Sequence, residues 1–353
     1  MTQIDKSKPI LLTGATGYLG GQIAKNLLEK GHVVHAPIRN PENKEKTKYL
    51  DEVAANSKGE IHYFKADLLD KGSYDEAMKG CELVIHSASP FIINTKNPQK
   101  DLIDPAVNGT ANVFTTAQQT DSVKRVVLTS SCAAIYGDGK DTLNYPNQTM
   151  TEEQWNTTSS LKQTPYSYSK TLAERKAWEM TEGQDKFDLT VINPSFILGP
   201  GVNPHGTGES FSIMKQMGDG SFKMGAPALN IGCVDVRDVA EAHYRAGFTP
   251  EAKGRHICSA ENLSFLKLAD MLKPNYGEKY PLPKKTLPKW LMMLMGPLAG
   301  IPRQFIRDNV GYPWKADNSK IKRELNMEFR PIDKTVNEFF AQIEETGAFK
   351  KKK

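Results

Sequence analysis

Residues 13–20 read Thr-Gly-Ala-Thr-Gly-Tyr-Leu-Gly, between an apolar run at 9–12 and an apolar helical pattern at 22–28. Glycine allows the positive backbone angles of a tight turn and lets the backbone come close to a phosphate. A helix that begins at the turn directs its unpaired N–H groups and the positive end of its dipole at the same place. The order of strand, glycine turn and helix therefore predicts a dinucleotide-binding loop.

Short apolar runs alternate with helical patterns as far as Pro194, after which proline and glycine become more frequent. This alternation predicts a parallel sheet wrapped by helices, and the continuous apolar runs predict strands covered on both faces. We expect an α/β fold with a Rossmann-type, doubly wound parallel sheet of about seven strands. It would occupy residues 1–193, before a smaller mixed substrate lobe over 194–349 and a lysine tail at 350–353. The predicted strands are 10–13, 32–38, 61–65, 83–86, 125–129, 189–193 and 255–259, the last one returning to the main sheet.

The bulk composition of the 353 residues favours an ordinary globular enzyme. The net charge of +5 comes partly from the lysine tail, so nucleic-acid binding is not expected. The four cysteines have no paired spacing, which argues against a metal site and a disulfide framework. The apolar stretch 290–302 is too short to span a bilayer, and no signal sequence is present. These features predict a cytoplasmic protein without membrane contacts.

The end of the second strand indicates which dinucleotide binds. In this fold an acidic residue there bonds the free ribose 2′-hydroxyl, but here the chain has Arg39 and no carboxylate before Glu42. A guanidinium matches the 2′-phosphate of NADP(H), and Lys44 or Lys46 adds positive charge. The alternative is that Arg39 is a solvated surface residue. Asp67, after the third strand, is predicted to accept from the adenine amino group, to cap a helix, or to do both.

A tyrosine and a lysine four residues apart are the candidate reacting groups. Tyr166 and Lys170 would share one helix face, and a nearby ammonium is expected to lower the pKa of a phenol from about 10. Ser130 and Ser131 follow the fifth strand at the edge where such sheets bind ligands. A tyrosine and a lysine at this spacing are common by chance, but their position after a dinucleotide loop favours a catalytic role.

With these motifs the chain resembles the extended short-chain dehydrogenase/reductase family, also called the NAD-dependent epimerase/dehydratase superfamily. Within it, the resemblance is to the branch of dihydroflavonol 4-reductases, cinnamoyl-CoA reductases and yeast-type methylglyoxal reductases. The matching pieces run in order along nearly the whole chain. They lie at 13–20, 38–41, 67–68, 86–90, 107–110, 129–131, 166–174, 192–200, 235–240 and 254–259.

The resemblance implies roles for these residues. Tyr166 would donate the proton to the carbonyl, Lys170 would hold the nicotinamide ribose, and Ser131 would bond the substrate oxygen, with Ser130 as the alternative. Pro-S hydride delivery is implied in the same way. Cofactor contacts are predicted at Thr13, Gly14, Thr16, Gly17, Tyr18, Leu19, Gly20, Arg39, Lys46, Asp67, Leu68, Ser87, Ala88, Ser89, Tyr166, Lys170, Pro194 and Ser195.

Four further residues near these motifs are not predicted to take part directly in the reaction. Asn108 would support the active site from a helix, or bond only within that helix. His86 and His243 are expected to be packed or at the surface. Cys132 has no base paired with it and is expected to be packed as well.

The substrate is predicted to be a hydrophobic aldehyde or ketone, such as a cinnamaldehyde-like compound, reduced by NADPH to the alcohol. Nucleotide-sugar epimerisation or dehydration is an alternative, although the stretch 230–234 lacks the diphosphate-binding arginine of the sugar enzymes. A CoA thioester is in doubt because the Asn-Trp-Tyr signature is missing, and a non-enzymatic NADP(H)-sensing regulator is a third possibility. A monomer or homodimer is expected. The predicted apolar wall, with plain core as the alternative, comprises Phe91, Ile92, Ile135, Tyr136, Phe196, Met214 and Met217.

Overall fold

The computed structural model describes residues 1–89 and 97–349. Its main element is a seven-stranded, fully parallel sheet in the order β10-β6-β5-β4-β1-β2-β3. Along the chain the strands are β1 Ile10–Thr13, β2 Val33–Ile38, β3 Glu60–Lys65, β4 Leu83–His86, β5 Arg125–Thr129, β6 Asp188–Pro194, β7 Phe196–Leu198, β8 Ala226–Pro227, β9 Asn230–Asp235, β10 Gly254–Cys258, β11 Glu261–Ser264 and β12 Thr286–Leu287.

Helices cover both faces of this sheet and form most of the smaller lobe. They are α1 Tyr18–Glu29, α2 Lys44–Ala55, α3 Asp75–Met78, α4 Asp104–Gln119, α5 Pro165–Thr181, α6 Glu209–Asp219, α7 Val236–Phe248, α8 Phe265–Tyr276, α9 Lys289–Met295, α10 Arg303–Asn309, α11 Ser319–Glu324 and α12 Ile332–Glu345. Residues of α1, α2, α7 and α11 form the buried core on one face. Residues of α3, α4 and α5 form the core on the other. The sheet is therefore doubly wound, as the alternating pattern predicts.

The predicted strands agree with the structure to within one residue at each end. Strand β3 is an exception to the prediction of full coverage, because its side chains alternate between exposed and half-buried. It lies at one edge of the sheet, whereas β10 at the other edge is largely buried. The central strands β1, β4 and β6 are almost entirely buried.

The order of strands reverses between β1 and β4, which pair in parallel with Thr13 opposite His86. In open parallel sheets, a crevice forms outside the carboxyl ends of the strands at such a point. The loops that follow β1 and β4 therefore lie next to each other at this edge. The loops after β5 and β6 continue the same edge.

The smaller lobe is built around a mixed three-stranded sheet in which β9 pairs in parallel with β7 and antiparallel with β11. Helices α6, α8 and α12 supply its core, which includes Phe211, Phe339 and Phe340. Strand β10 pairs with β6 and extends the main sheet, so the chain returns there. The domain limits at 193 and 349, the oligomeric state and the cytoplasmic location stay predictions. None of the helices in the described part of the chain has the length and apolar character that a bilayer crossing requires.

Candidate active site

The glycine turn lies at the carboxyl end of β1. Gly14 has a φ of 76°, and a Cβ there would lie 2.9 Å from the backbone nitrogen of Ala88. A Cβ at Gly20 would lie 2.0 Å from the carbonyl oxygen of Gly14. Both positions require glycine, because the loop after β4 leaves no room for a Cβ at Gly14 and the turn itself leaves none at Gly20. Gly17 precedes α1 without a side-chain cap, so the first N–H groups of the helix are available to an anion.

Thr13 joins the glycine turn to the loop after β4. Its buried hydroxyl accepts from the backbone N–H groups of Ser87 at 3.1 Å and Ala88 at 3.0 Å. The same hydroxyl bonds Nδ1 of His86 at 2.8 Å. All of its bonding capacity is used within the protein, so Thr13 holds the cofactor loop in shape. Ser87, Ala88 and Ser89 are half-buried beside the turn.

Tyr18 and Leu19, two predicted cofactor contacts, use their side chains elsewhere. The Tyr18 hydroxyl donates to the Gly199 carbonyl at 2.6 Å, and its ring stacks on Phe339 of the smaller lobe. Leu19 packs against the core beneath α1. Only the backbone N–H groups of these two residues are therefore available to a phosphate. Thr16 is exposed at the turn.

Basic side chains surround the end of β2. Arg39 is exposed directly after the strand, and Lys44 and Lys46 are exposed in the first turn of α2. Glu45, the acidic residue in that turn, pairs instead with Lys48 at 2.7 Å. The exposed side chains of Arg39, Lys44 and Lys46 after β2 are thus positively charged, which suits a phosphate on the ribose.

Asp67 follows β3 and lies in a turn. Its Oδ1 accepts from the backbone N–H of Leu69 at 2.9 Å. The alternative prediction that Asp67 caps a helix is wrong, because the next helix, α3, begins only at Asp75. Leu68 packs over Gly109 of α4, where a Cβ would lie 2.3 Å from Cγ of Leu68.

Helix α5 carries the predicted Tyr–Lys pair on one face. Pro165 occupies the first helical position, where its missing N–H costs no hydrogen bond. Nζ of Lys170 lies 5.9 Å from the centre of the Tyr166 ring. Lys170 is only 8% exposed, whereas Tyr166 is half-buried. The buried ammonium thus lies behind the phenol.

The two serines after β5 point to different partners. Ser131 forms a side-chain hydrogen bond with Tyr166. Ser130 is buried and donates to Oε2 of Glu174 at 2.5 Å. Because the Ser130 hydroxyl is occupied in the interior, Ser131 is the serine placed to share a substrate oxygen with Tyr166.

The pKa values at this site are governed by burial. Burial raises the pKa of Tyr166 above its usual value, and the hydrogen bond from Ser131 opposes this only in part. We expected the ammonium of Lys170 to lower that pKa, but removal of the phenolate from water is the larger effect. Burial lowers the pKa of Lys170 to about 8, while the Glu174 carboxylate raises it. Near neutral pH the site therefore holds a protonated phenol beside an ammonium.

The loop after β6 contributes a hydroxyl that has no hydrogen-bond partner among the described residues. Pro194 is buried at the end of β6, and the backbone N–H of Ser195 donates to the Cys258 carbonyl at 3.0 Å. Oγ of Ser195 is buried and bonds to none of the described residues. Buried polar atoms are normally bonded, so this one suits a polar group of a ligand.

The residues predicted to form the substrate wall lie in different environments. Tyr136 and Phe196 are half-buried, and Tyr136 contacts Trp314 edge to face with ring centres 6.0 Å apart. Phe91 and Ile92 lie outside the described residues. Three further residues belong to the hydrophobic cores rather than to a pocket, because at most 1% of each is exposed. They are Ile135, Met214 and Met217.

The packed residues predicted around the site are confirmed as such. His86 is buried against Thr13, and His243 is buried with Nε2 2.7 Å from the Thr129 hydroxyl. Burial raises the pKa of the Cys132 thiol, which excludes a reactive thiolate near neutral pH. Asn108 is exposed on α4, and its supporting role stays a prediction. Among the side chains of 1–89 and 97–349, no three His, Cys, Asp or Glu residues form a metal-binding group.

A buried polar group that the sequence did not predict lies directly behind the reacting residues. Glu174 lies one helical turn beyond Lys170, and Asn193 directly precedes the Pro194–Ser195 turn. Arg255 on β10 donates to Oε1 of Glu174 at 2.6 Å. The first of these was detectable, since extending the four-residue spacing of Tyr166 and Lys170 leads to position 174. Trp178, four residues along α5, donates to Oε1 of Glu174 at 3.3 Å. The other partners of Glu174 (Ser130, Asn193 and Arg255) are 19 to 81 residues away in sequence and carry no local signal.

Comparison with known proteins agrees with this geometry. The profile of the NAD dependent epimerase/dehydratase family matches residues 10–258, and the chain belongs to this family. A cinnamoyl-CoA reductase, CAD2 from Medicago truncatula, is 30% identical over 349 residues, which are 98% of each chain. Tetraketide alpha-pyrone reductase 2 from Arabidopsis thaliana is 36% identical over 279 residues, or 78% of this chain and 84% of that one.

A solved structure of similar fold is the yeast methylglyoxal/isovaleraldehyde reductase Gre2 complexed with NADPH. Its TM-score is 0.77 at 27% identity, with 96% of this chain and 99% of that chain covered. The family resemblance inferred from the motifs is confirmed by these matches. The parallel sheet with its smaller mixed lobe is confirmed with it.

Proposed function

We propose that this protein is an NADPH-dependent reductase that converts aldehydes and ketones to alcohols. The observation that carries the proposal is the grouping of three side chains: Ser131 acts on the Tyr166 phenol, and Nζ of Lys170 lies 5.9 Å from the centre of the Tyr166 ring. The named relatives are reductases, and the Gre2 structure is a complex with NADPH. Both support the same reaction class.

The residues at the carboxyl edge of the sheet fit NADP(H). The glycine turn has no room for a Cβ at Gly14 or Gly20, so a diphosphate can approach the backbone and the start of α1. Arg39 and Lys46 are exposed where the 2′-phosphate would lie. The unpartnered hydroxyl of Ser195 suits the carboxamide of the nicotinamide. When bound, NADPH supplies the hydride that reduces the carbonyl carbon.

The side chains of α5 and of the β5 loop would manage the proton. Ser131 and Tyr166 donate hydrogen bonds to the carbonyl oxygen, where negative charge develops as hydride reaches the carbon. Because burial keeps the Tyr166 phenol protonated, it is the proton source for the new alkoxide. The ammonium of Lys170 then stabilises the phenolate that remains. Such preorganised hydrogen bonds supply a large share of the rate gain in enzymes.

The substrate we favour is a hydrophobic carbonyl compound such as a cinnamaldehyde-like aldehyde. Tyr136 and Phe196 are half-buried apolar side chains close to the loops after β5 and β6. Stretch 230–234 forms most of strand β9 and lacks the arginine that would bind a nucleotide diphosphate. An apolar surface takes up an apolar carbonyl compound more readily than a hydrated diphosphate.

The test is NADPH oxidation, followed at 340 nm, with a panel of aromatic and aliphatic aldehydes and ketones. Tyr166→Phe should lose turnover and keep NADPH binding, measured by fluorescence. Tyr168→Phe, which alters a phenol two residues away on the same helix, should keep both. Activity retained by Tyr166→Phe would refute the mechanism. NADPH binding without oxidation of any compound would favour the sensing regulator, and conversion of a UDP-sugar without net oxidation would favour an epimerase.

A further inference from the structure

The buried carboxylate of Glu174 lies behind the Tyr166 and Lys170 pair on α5. Its residue is 0% exposed. Oε2 accepts from the Ser130 hydroxyl at 2.5 Å and from Nδ2 of Asn193 at 2.9 Å. Oε1 accepts from Nε of Arg255 at 2.6 Å. Every partner is a donor, so only an ionised carboxylate satisfies the group.

These contacts join the segments that carry the proposed reacting groups. Ser130 directly precedes Ser131 at the end of β5, and Asn193 precedes Ser195 at the end of β6. The Asn193 amide also donates to the Ser131 carbonyl at 3.2 Å. One carboxylate therefore connects the helix of Tyr166 and Lys170 with the two strand ends that face it.

Arg255 is itself held in place, which makes the ion pair rigid. The residue is 6% exposed. Its Nη1 donates to the carbonyls of Glu152 at 2.9 Å and Gln154 at 2.6 Å. Its guanidinium lies 4.0 Å from the centre of the Trp155 ring. Glu174 thus has a fixed counterion.

We infer that Glu174 is a positioning residue for the reduction: it holds Ser131 against Tyr166 and places a negative charge one helical turn from Lys170. The inference rests on the proposed function. Arg255 completes the arrangement by holding the Glu174 carboxylate in place. Removal of the Glu174 charge would thus loosen the strand end that carries Ser131.

The charge of Glu174 also acts on Lys170. Burial lowers the pKa of Lys170 to about 8, and Glu174 is the group that raises it. The other titratable groups around Lys170 are Tyr166 on α5 and His86 on β4, which burial keeps neutral. Arg255 pairs with Glu174, and Arg255, Glu152 and Glu174 all act on the buried thiol of Cys132. Without the Glu174 charge, Lys170 loses its proton at a lower pH.

The first variant is Glu174→Gln, which removes the charge and places an amide N–H among donors. We expect kcat at pH 7 to fall about tenfold or more, with a smaller change in NADPH affinity. The pH above which activity is lost should also move downward. A merely structural role would not shift this pH limit.

A matched control exists at the opposite ends of the same two strands. There Nε of the buried Arg125 donates to Asp188 at 2.6 Å, far from the carboxyl edge of the sheet. Asp188→Asn should lower Tm and leave kcat and the pH limit unchanged. If Glu174→Gln behaves like Asp188→Asn, the positioning role is overturned.

If Glu174→Gln does not fold because Arg255 has lost its counterion, a second variant tests the inference. Glu174→Gln with Arg255→Met removes both buried charges, which restores stability in many proteins. Its Tm should recover while the loss of kcat and the lowered pH limit persist. Recovery of kcat together with Tm would overturn the inference. Activity in Tyr166→Phe would instead refute the proposed function, so the two failures are distinguishable.

Discussion

The hydroxyl of Ser130 lies 2.5 Å from Oε2 of Glu174, inside the protein. This contact distinguishes two neighbouring serines, of which the family resemblance favours Ser131, with Ser130 as the alternative. Ser130 belongs to the interior, and Ser131 is hydrogen-bonded to Tyr166. The proposed reaction therefore depends on Ser131, and the two serines should respond differently to mutation.

Ser131→Ala should lower kcat about 100-fold, because one of two donors to the developing alkoxide is lost. Ser131→Thr, which keeps a hydroxyl, should retain part of the activity. Ser130→Ala should lower Tm, since a buried charged acceptor loses a donor, and should lower kcat less than Ser131→Ala. Steady-state kinetics and thermal unfolding of the three variants check this. The reverse order of kcat values would assign the substrate contact to Ser130.

Arg39→Ala should raise KM for NADPH about tenfold or more and leave KM for NADH nearly unchanged, because only NADPH carries the 2′-phosphate. Lys58→Ala is the control, since Lys58 is exposed just before β3 at the other end of the sheet. Kinetics with both cofactors measure the effect. An unchanged NADPH preference in Arg39→Ala would show that Arg39 is an ordinary surface residue.

Gly20→Ala should destabilise the protein by about 3 kcal/mol and remove NADPH binding, because the added Cβ would lie 2.0 Å from the Gly14 carbonyl oxygen. Gly208→Ala is the control: Gly208 directly precedes α6, and no atom lies within 4 Å of a Cβ added there. Urea unfolding and NADPH fluorescence measure the two effects. Normal cofactor binding by Gly20→Ala would contradict the tight turn.

Acid should destabilise the protein through its buried histidines. Burial lowers the pKa of His86 to about 3 and of His243 to about 4. The unfolded chain, with histidine pKa values near 6.5, then binds more protons than the folded one below pH 6.5. Stability is therefore lost as the pH falls, by about 2 kcal/mol for each histidine between pH 7 and pH 5.

The test compares urea unfolding at pH 7 and pH 5. His243→Gln, which cannot titrate, should lose its own share of this pH dependence, about 2 kcal/mol, even if its stability at pH 7 is lower. His205→Gln, at an exposed site, should keep the full dependence. Equal pH dependence in both variants and the parent protein would contradict the assignment.

Local pattern was sufficient to determine the main sheet and the order of its motifs. Most strands of that sheet are short apolar runs, and helices α1 and α5 begin at Gly17 and Pro165. Gly14 and Gly20 were identifiable because the conformation and closeness they permit are properties of the residue itself. The spacing of Tyr166 and Lys170 was enough to put them on one helix face.

Tertiary structure alone decided which groups are buried and what they touch. The sequence suggested an ammonium that acidifies Tyr166, yet burial raises the pKa of the phenol. Met214 and Met217 could have faced a pocket or the core, and they face the core. Glu174 meets Arg255, 81 residues away, across the sheet. Solvation and long-range contacts depend on the packed arrangement of distant segments, which no local window of the chain contains.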